Sequence, residues 1–419
     1  MAYEATPTVA RALAAVRGSQ ALRSAWGVFW PTRVAVLLVA VFAALSFGPA
    51  TGGLAGENAA KFDEPALTGA LADPLLQPLA RWDAVWYLRI AESGYGGSEG
   101  RAAFFPLYPL LVRGLATPFG ATPAALLLAA YAVALAAFLA ALTLLHRLVS
   151  LELGRPLARP ALLLCSVFPF AVYFGAPYSE SLFLALAVGA FYAARTGRWA
   201  WAGGCAGAAA ATRSAGVLLM LPLAIVWWSG RERRLRDAAW ILAAPLGLAC
   251  YALFLGVAEG DALRFLDVQD AWSRELSVPL TGALDGLNAA IDGVRQLASG
   301  QRETVYFQQA AGDPYRIAAI NLMLFGSLVF AVAACVGIFR RLPPAYGAWV
   351  AGSLVLPLSL PVKPQPLMSL PRFLAVLFPI FMWLALWSEE RRATDRVAAV
   401  SALGLGLVTA QFATWHWIS

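Results

Sequence analysis

Asp83 lies in RWDAVWYLRIAESGYGG (81–97), among aromatic residues and close to Arg81. A carboxylate so placed can act as a general base, taking a proton from an incoming hydroxyl. A helix N-cap or a surface ion pair with Arg81 is the plainer alternative. Glu180 follows in SVFPFAVYFGAPYSESLF (166–183), where the chain turns back into an apolar run. An ionisable group at such a point is costly and functional by default, although Ser179 and Glu180 after Pro177 also read as a capping box. Arg213 stands alone in AAAATRSAGVLL (208–219). Burying a lone guanidinium costs at least about 2.5–3.5 kcal/mol, which a bound anion or an ion pair with Glu180 or Asp83 would offset. Arg372 and Lys363, in VKPQPLMSLPRF (362–373), add further cations, or are snorkelling side chains at a helix end. One or two carboxylates and two or three cations beside an apolar groove suit chemistry in which a lipid phosphate departs. Cations stabilise the charge developing on it. A phosphate leaves without a proton, so one base suffices, whereas glycoside hydrolysis also needs an acid.

The elements that must position these groups are membrane spans. The 419 residues are 60% hydrophobic and 13% charged, with mean hydropathy +0.68. Soluble domains run at about 45–50% apolar and about 25% charged, so lipid must solvate most of this surface. Apolar stretches fall at 28–49, 122–145, 160–176, 179–194, 199–211, 215–229, 237–257, 315–339, 344–360, 372–387 and 397–417. These predict an all-α polytopic membrane protein of about eleven transmembrane helices. Prolines 169, 177, 222, 245, 357 and 379 make several of them short or broken, as in helices that line a cavity inside protein. Residues 1–27 read as a cytoplasmic tail and 28–419 as a single transmembrane domain. No short repeat and no cleavable signal peptide is visible.

The +7 net charge comes from 29 Arg and 2 Lys, Lys61 and Lys363, set between apolar runs. That spacing orients spans and argues against nucleic acid as a partner. With the N-terminus inside, the short inner segments hold 17 basic residues. The much longer outer ones hold 12, together with 17 acidic ones. The positive-inside rule therefore predicts N-in, C-out, with the candidate groups on the extracytoplasmic face. Two outer loops are long, 50–121 and 258–314. In the first, Trp82, Val85, Trp86 and Ile90 fall at helical spacing, predicting an interfacial helix ended by Gly94, Gly96 and Gly97. The segment 102–115 is too short and Pro-broken to span and reads as re-entrant or interfacial. The second loop could hold one or two amphipathic helices.

Four cysteines lie in apolar stretches without a CxxC, and the two histidines, His146 and His416, are far apart. Neither a disulfide framework nor a Cys or His metal site follows, and no cofactor is expected. A carboxylate-held Mg²⁺ or Mn²⁺ stays open. P-loop and GxGxxG patterns are absent, which argues against ATP-driven work.

Five motifs in order, WDA (82–84), IAESGY (90–95), AFFPLYP (103–109), APYSESLF (176–183) and ATRSAG (211–216), resemble the PIG-V family. Its eukaryotic members are the second mannosyltransferases of glycosylphosphatidylinositol synthesis. The resemblance covers residues 28 to about 230 and extends by PRF (371–373) at most. It implies a GT-C glycosyltransferase fold with the essential acid in the first large outer loop, a polyprenyl-phosphate mannose donor, and inversion at the anomeric carbon. Arg81, beside the first motif, is a further substrate-binding candidate; carried onto this chain, Asp83 would be the base, and Glu180 and Arg213 would help shape the site. Trp82, Tyr95 and Tyr178 would line it, Phe105 and Pro106 would support it, and Arg372 would meet the donor phosphate. The Arg- and Ala-rich, Lys-poor composition points to a GC-rich bacterial genome, which leaves the acceptor open as a lipid-linked or cell-envelope glycan at the plasma membrane. The alternatives are a transporter or lipid flippase, which would show repeats and a polar path through both faces, and a GT-C transferase of another sugar.

Overall fold

The computed structural model describes residues 19–47, 72–96, 99–269, 274, 276–306, 313–362, 365–416 and 418. Lys61 and Lys363 lie outside them, as do residues 1–18 of the tail, 48–49 of the first apolar stretch and 50–71 of the first outer loop.

The described chain is helical. Its main helices are α1 Gln20–Phe47, α2 Asp83–Ser93, α3 Leu107–Ala116, α4 Pro123–Glu152, α5 Ala158–Ser166, α6 Glu180–Arg195, α7 Trp199–Ala210, α8 Met220–Ser229 and α9 Leu246–Ala258. They continue with α10 Pro279–Ser299, α11 Pro314–Arg341, α12 Pro344–Ser359, α13 Leu370–Ala375, α14 Pro379–Glu390 and α15 Thr394–Ala413. Five stretches are long and apolar enough to cross a bilayer: α1, α4, Leu235–Ala258, α11 and α15. The other predicted spans appear as shorter or broken helices. Pro169 and Pro177 are one cause: α5 stops at Ser166, and a 3-10 turn, Ala171–Phe174, follows before α6.

Proline also opens helices. It stands at the start of α4, α10, α11, α12 and α14, where its missing N–H is no loss. Thr122 and Asp313 complete two of these starts, accepting from Ala125 N at 3.3 Å and Tyr315 N at 3.1 Å. The first helix begins at Gln20, eight residues before the apolar run. Ala21 and Ala25 are buried there, so tertiary packing extends the helix where hydropathy gives no sign.

One contiguous apolar cluster runs from Ala25 to Ile418 and contains both aromatic-rich turns that carry Asp83 and Glu180. Glycine lets helices close on it. At Gly203, Gly207 and Gly247 an added Cβ would overlap the backbone of the facing segment, so α7 meets Trp240, Ala243 and α9 with no side chain between. Arg33 on α1 is buried and donates to Ala171 O at 2.6 Å and Ser166 O at 2.8 Å. It pins the turn that leads to Glu180.

The amphipathic helix of the first loop is present as α2, and its buried face takes in the Trp stripe, with Trp82, Val85 and Ile90 buried and Trp86 half-buried, but is broader than it. Trp82 precedes the helix, and Ala84, Val85, Tyr87, Leu88, Ile90 and Ala91 are buried. Tyr87 widens the face, meeting Phe104, Tyr108 and Tyr178 edge-on at centroid distances of 5.0–6.4 Å. In the second loop α10 is the expected amphipathic helix. Its Gly282, Gly286, Ala290 and Gly293 are buried, with Gly282 and Gly293 set against α12 and α11.

Candidate active site

Asp83 is the first residue of α2, and the residue before it is strained: Trp82 has φ 58° and ψ −120°. A bulky side chain at positive φ costs of order 1–3 kcal/mol and persists only where its surroundings impose it. Trp82 packs against Trp415 at 5.4 Å, and Arg81 lies over the same indole at 4.7 Å. Tyr178 closes the turn. Its hydroxyl accepts from Asp83 N at 3.1 Å and donates to Arg81 O at 2.9 Å. Backbone strain, two hydrogen bonds and ring packing therefore fix where the Asp83 side chain starts.

Glu180 opens α6 and is fully buried. The capping box that its neighbour suggested does not form: Ser179 makes no side-chain cap, and its hydroxyl bonds the Tyr87 hydroxyl at 2.7 Å. What holds Glu180 is charge. Its Oε1 receives Arg213 Nη1 at 2.5 Å and also Arg372 Nε. Arg372 then donates through Nη1 to Asp83 Oδ2, so one guanidinium bridges both carboxylates. Its planar fork suits this double contact, which an ammonium could not copy. The Tyr173 and Tyr178 rings lie 5.1 and 4.9 Å from the Arg372 guanidinium carbon.

Local folding delivers both arginines. Arg213 follows the end of α7 in extended conformation, and a 3-10 turn, Ser214–Leu219, comes next. That turn folds back so tightly that a Cβ on Gly216 would overlap the backbone of Ala209 and Ala210. Leu107 N bonds Ala211 O at 3.0 Å and ties the same corner to α3. Arg372 sits in α13, whose N-cap, Ser369, is left-handed at φ 69°. A residue at positive φ thus stands directly before Asp83, and another three residues before Arg372.

The charges face a cavity of about 170 Å³ lined by Asp83, Tyr87, Phe105, Arg213, Arg274 and Arg372, among others. The Asp83 side chain is 19% exposed, whereas Glu180 is 0% exposed and is not in the wall. Only Asp83 of the two acids can reach a reactant. Beside this cavity lies a second, apolar one of about 200 Å³, lined by residues such as Phe183, Phe265, Leu356, Leu360 and Leu377. The two share Ala103, Phe105, Arg213, Ser214, Gln269, Arg274 and Phe373.

Of the residues expected from sequence, Asp83, Phe105, Arg213 and Arg372 line the polar cavity, and Glu180 and Tyr178 stand directly behind it. Arg81 and Trp82 are not in its wall and pack against Trp415. Tyr95 and Pro106 line a different, larger apolar cavity of about 820 Å³ between α2, α3, α7 and α9. Tyr95 donates to Phe104 O at 2.7 Å and stacks near Tyr251 and Phe254, so it braces the wall from behind.

Two ionisable lining residues escaped the sequence reading. Tyr87 is one helical turn beyond Asp83, and the i, i+4 spacing could have flagged it. Arg274 gave no signal, because it is one of four arginines in a charged loop. Among the described residues no three His, Cys, Asp or Glu side chains gather as a metal ion would require. The two carboxylates are both engaged by Arg372.

Residues 28–258 match the family described as Mannosyltransferase (PIG-V), more than half of the chain. The chain belongs to the PIG-V mannosyltransferase family. The PIG-V match contains Asp83, Tyr178, Glu180 and Arg213, and stops short of Arg274 and Arg372. The GPI alpha-1,6-mannosyltransferase 2 of Cricetulus griseus is 39% identical over 142 residues, 32% of this chain and 28% of that protein. The alignment thus spans under a third of that PIG-V relative. Among solved structures, the apo oligosaccharyltransferase of Archaeoglobus fulgidus aligns at TM-score 0.44, with 14% identity over 93% of this chain and 56% of that one. The same archaeal enzyme in complex with an inhibitory peptide and a dolichol-phosphate aligns at 0.43, with 13% identity over 92% and 55%.

Proposed function

We propose that this protein is an integral-membrane mannosyltransferase of the GT-C type. It moves mannose from a polyprenyl-phosphate donor to a hydroxyl of a lipid-linked or cell-envelope acceptor, at the extracytoplasmic face of the plasma membrane. The observation that carries the reading is the junction of two cavities: a polar one holding Asp83, an apolar one fit for an isoprenoid, and guanidiniums where they meet. Family membership supplies the sugar.

In this reading Asp83 takes the proton of the acceptor hydroxyl as its oxygen attacks the anomeric carbon. The bond from that carbon to the phosphate oxygen breaks, and the phosphate leaves with the electron pair. The stereochemistry inverts in this single displacement. No second acid is needed, which agrees with Glu180 being sealed behind Arg372 and Arg213. Glu180 is then a positioning residue. It fixes the guanidinium that in turn orients Asp83, and a base held within hydrogen-bond reach is the first requirement of such catalysis. A transporter would need polar groups along a path through both faces. Here the cluster gathers where α2, α6 and α13 begin and α7 ends.

The test is transfer from radiolabelled polyprenyl-phosphate mannose into membranes with and without this protein, followed by identification of the labelled product. Label entering a lipid or glycan only when the protein is present is the expected result. Donor left intact under all acceptor conditions would refute the reading.

A further inference from the structure

Among the described residues the site holds more guanidiniums than carboxylates. Asp83 and Glu180 face three guanidiniums, Arg213, Arg274 and Arg372, within one cavity and its immediate backing. Arg372 spends Nε and Nη1 on the two carboxylates, and Arg213 spends Nη1 on Glu180. Arg274 makes no ion pair with a described carboxylate, and its Nε is buried without a hydrogen-bond partner. Burial lowers its guanidinium to about 10, with Arg372 and Arg213 acting in the same sense and Asp83 opposing. At pH 7 it therefore keeps its charge, and among the described residues no carboxylate pairs with it. Its backbone is placed, not trailing: Arg274 forms a bridge with Val362 and donates to Gln269 O at 3.3 Å.

Position completes the argument. Arg274 and Arg213 are the two cations that line both the polar cavity and the apolar one. A lipid phosphate has the same layout, an anion at the head of a hydrocarbon chain. A half-buried guanidinium with an unbonded Nε is stabilised when an anion arrives to meet it, and the planar fork of arginine matches phosphate oxygens in pairs.

We propose that Arg274 binds the phosphate of the lipid-linked donor, with Arg213 beside it, and that Arg372 instead serves Asp83 and Glu180. This rests on the proposed donor class, and the test separates the two. Binding of polyprenyl phosphate and of uncharged polyprenol is measured with the full-length protein in nanodiscs, for wild type and Arg274→Gln. Wild type should prefer the phosphate, Arg274→Gln should bind it at least about tenfold more weakly, and polyprenol binding should not change. The KM for donor should rise more than kcat falls. Equal affinity of both proteins for polyprenyl phosphate would overturn the role of Arg274 while leaving the donor class standing. A wild type that prefers neither ligand would overturn the donor class itself. Should Arg274→Gln not fold, phenylglyoxal labelling of wild-type Arg274, read by peptide mass spectrometry, decides the matter. Polyprenyl phosphate should slow labelling, and polyprenol and inorganic phosphate at equal concentration should not. Labelling that polyprenyl phosphate leaves unslowed, or that inorganic phosphate slows as much, would overturn the assignment.

Discussion

Two carboxylates of like chemistry divide their work by burial. Glu180 is enclosed and twice ion-paired, so Glu180→Gln leaves Arg213 and Arg372 without their shared anion. Breaking such a buried network costs about 3–5 kcal/mol. We expect a clear fall in thermal stability along with activity, read by unfolding in detergent. Tyr178→Phe is milder. It removes one hydroxyl that serves Asp83 N and Arg81 O, a loss of about 1 kcal/mol or somewhat more. Its kcat should drop several-fold with donor KM nearly unchanged; a KM change alone would contradict the positioning role. At this scale much of the site was legible, because a charge inside an apolar run is conspicuous: Glu180 and Arg213 stand out for that reason. Arg274 was not, since a loop with many charges gives no hint of which one turns inward.

The elements were legible where proline, glycine and hydropathy agree, as at the starts of α4 and α11. They were less so where packing decides. The Trp-rich stripe of 81–97 gives the right helix and only part of its buried face, because aromatic residues from three other segments also draw Tyr87 inward. Gly216 shows how an element acts on chemistry from a distance. Its missing side chain lets the turn after α7 close on Ala209 and Ala210, which sets Arg213 toward Glu180. Gly216→Val should displace that arginine. A misplacement of about 1 Å can cost roughly 100-fold in rate, so transfer should fall by that order while the chain still inserts. Near wild-type turnover in this variant would show that the corner is not what aims Arg213.

For the whole molecule the decisive quantity is which face holds the site. Glu180 opens α6 and Arg195 closes it, fifteen residues on and roughly 22 Å away at 1.5 Å per residue. At that remote end Arg195 pairs with Glu152, the last residue of α4. The basic density of the short segments predicts that this end is cytoplasmic. In intact cells a membrane-impermeant maleimide should label Ser93→Cys at the end of α2. Thr196→Cys should be labelled only after lysis, each measured against the unsubstituted chain. The reverse pattern would put the site inside and end the extracytoplasmic proposal. The central claim, however, is that Asp83 is the base. Its most direct measurement is single-turnover transfer from polyprenyl-phosphate mannose by Asp83→Asn, alongside donor affinity and unfolding temperature. The account predicts a loss of about 10²–10⁴-fold in the transfer step with donor binding and fold retained; turnover near that of wild type would contradict it.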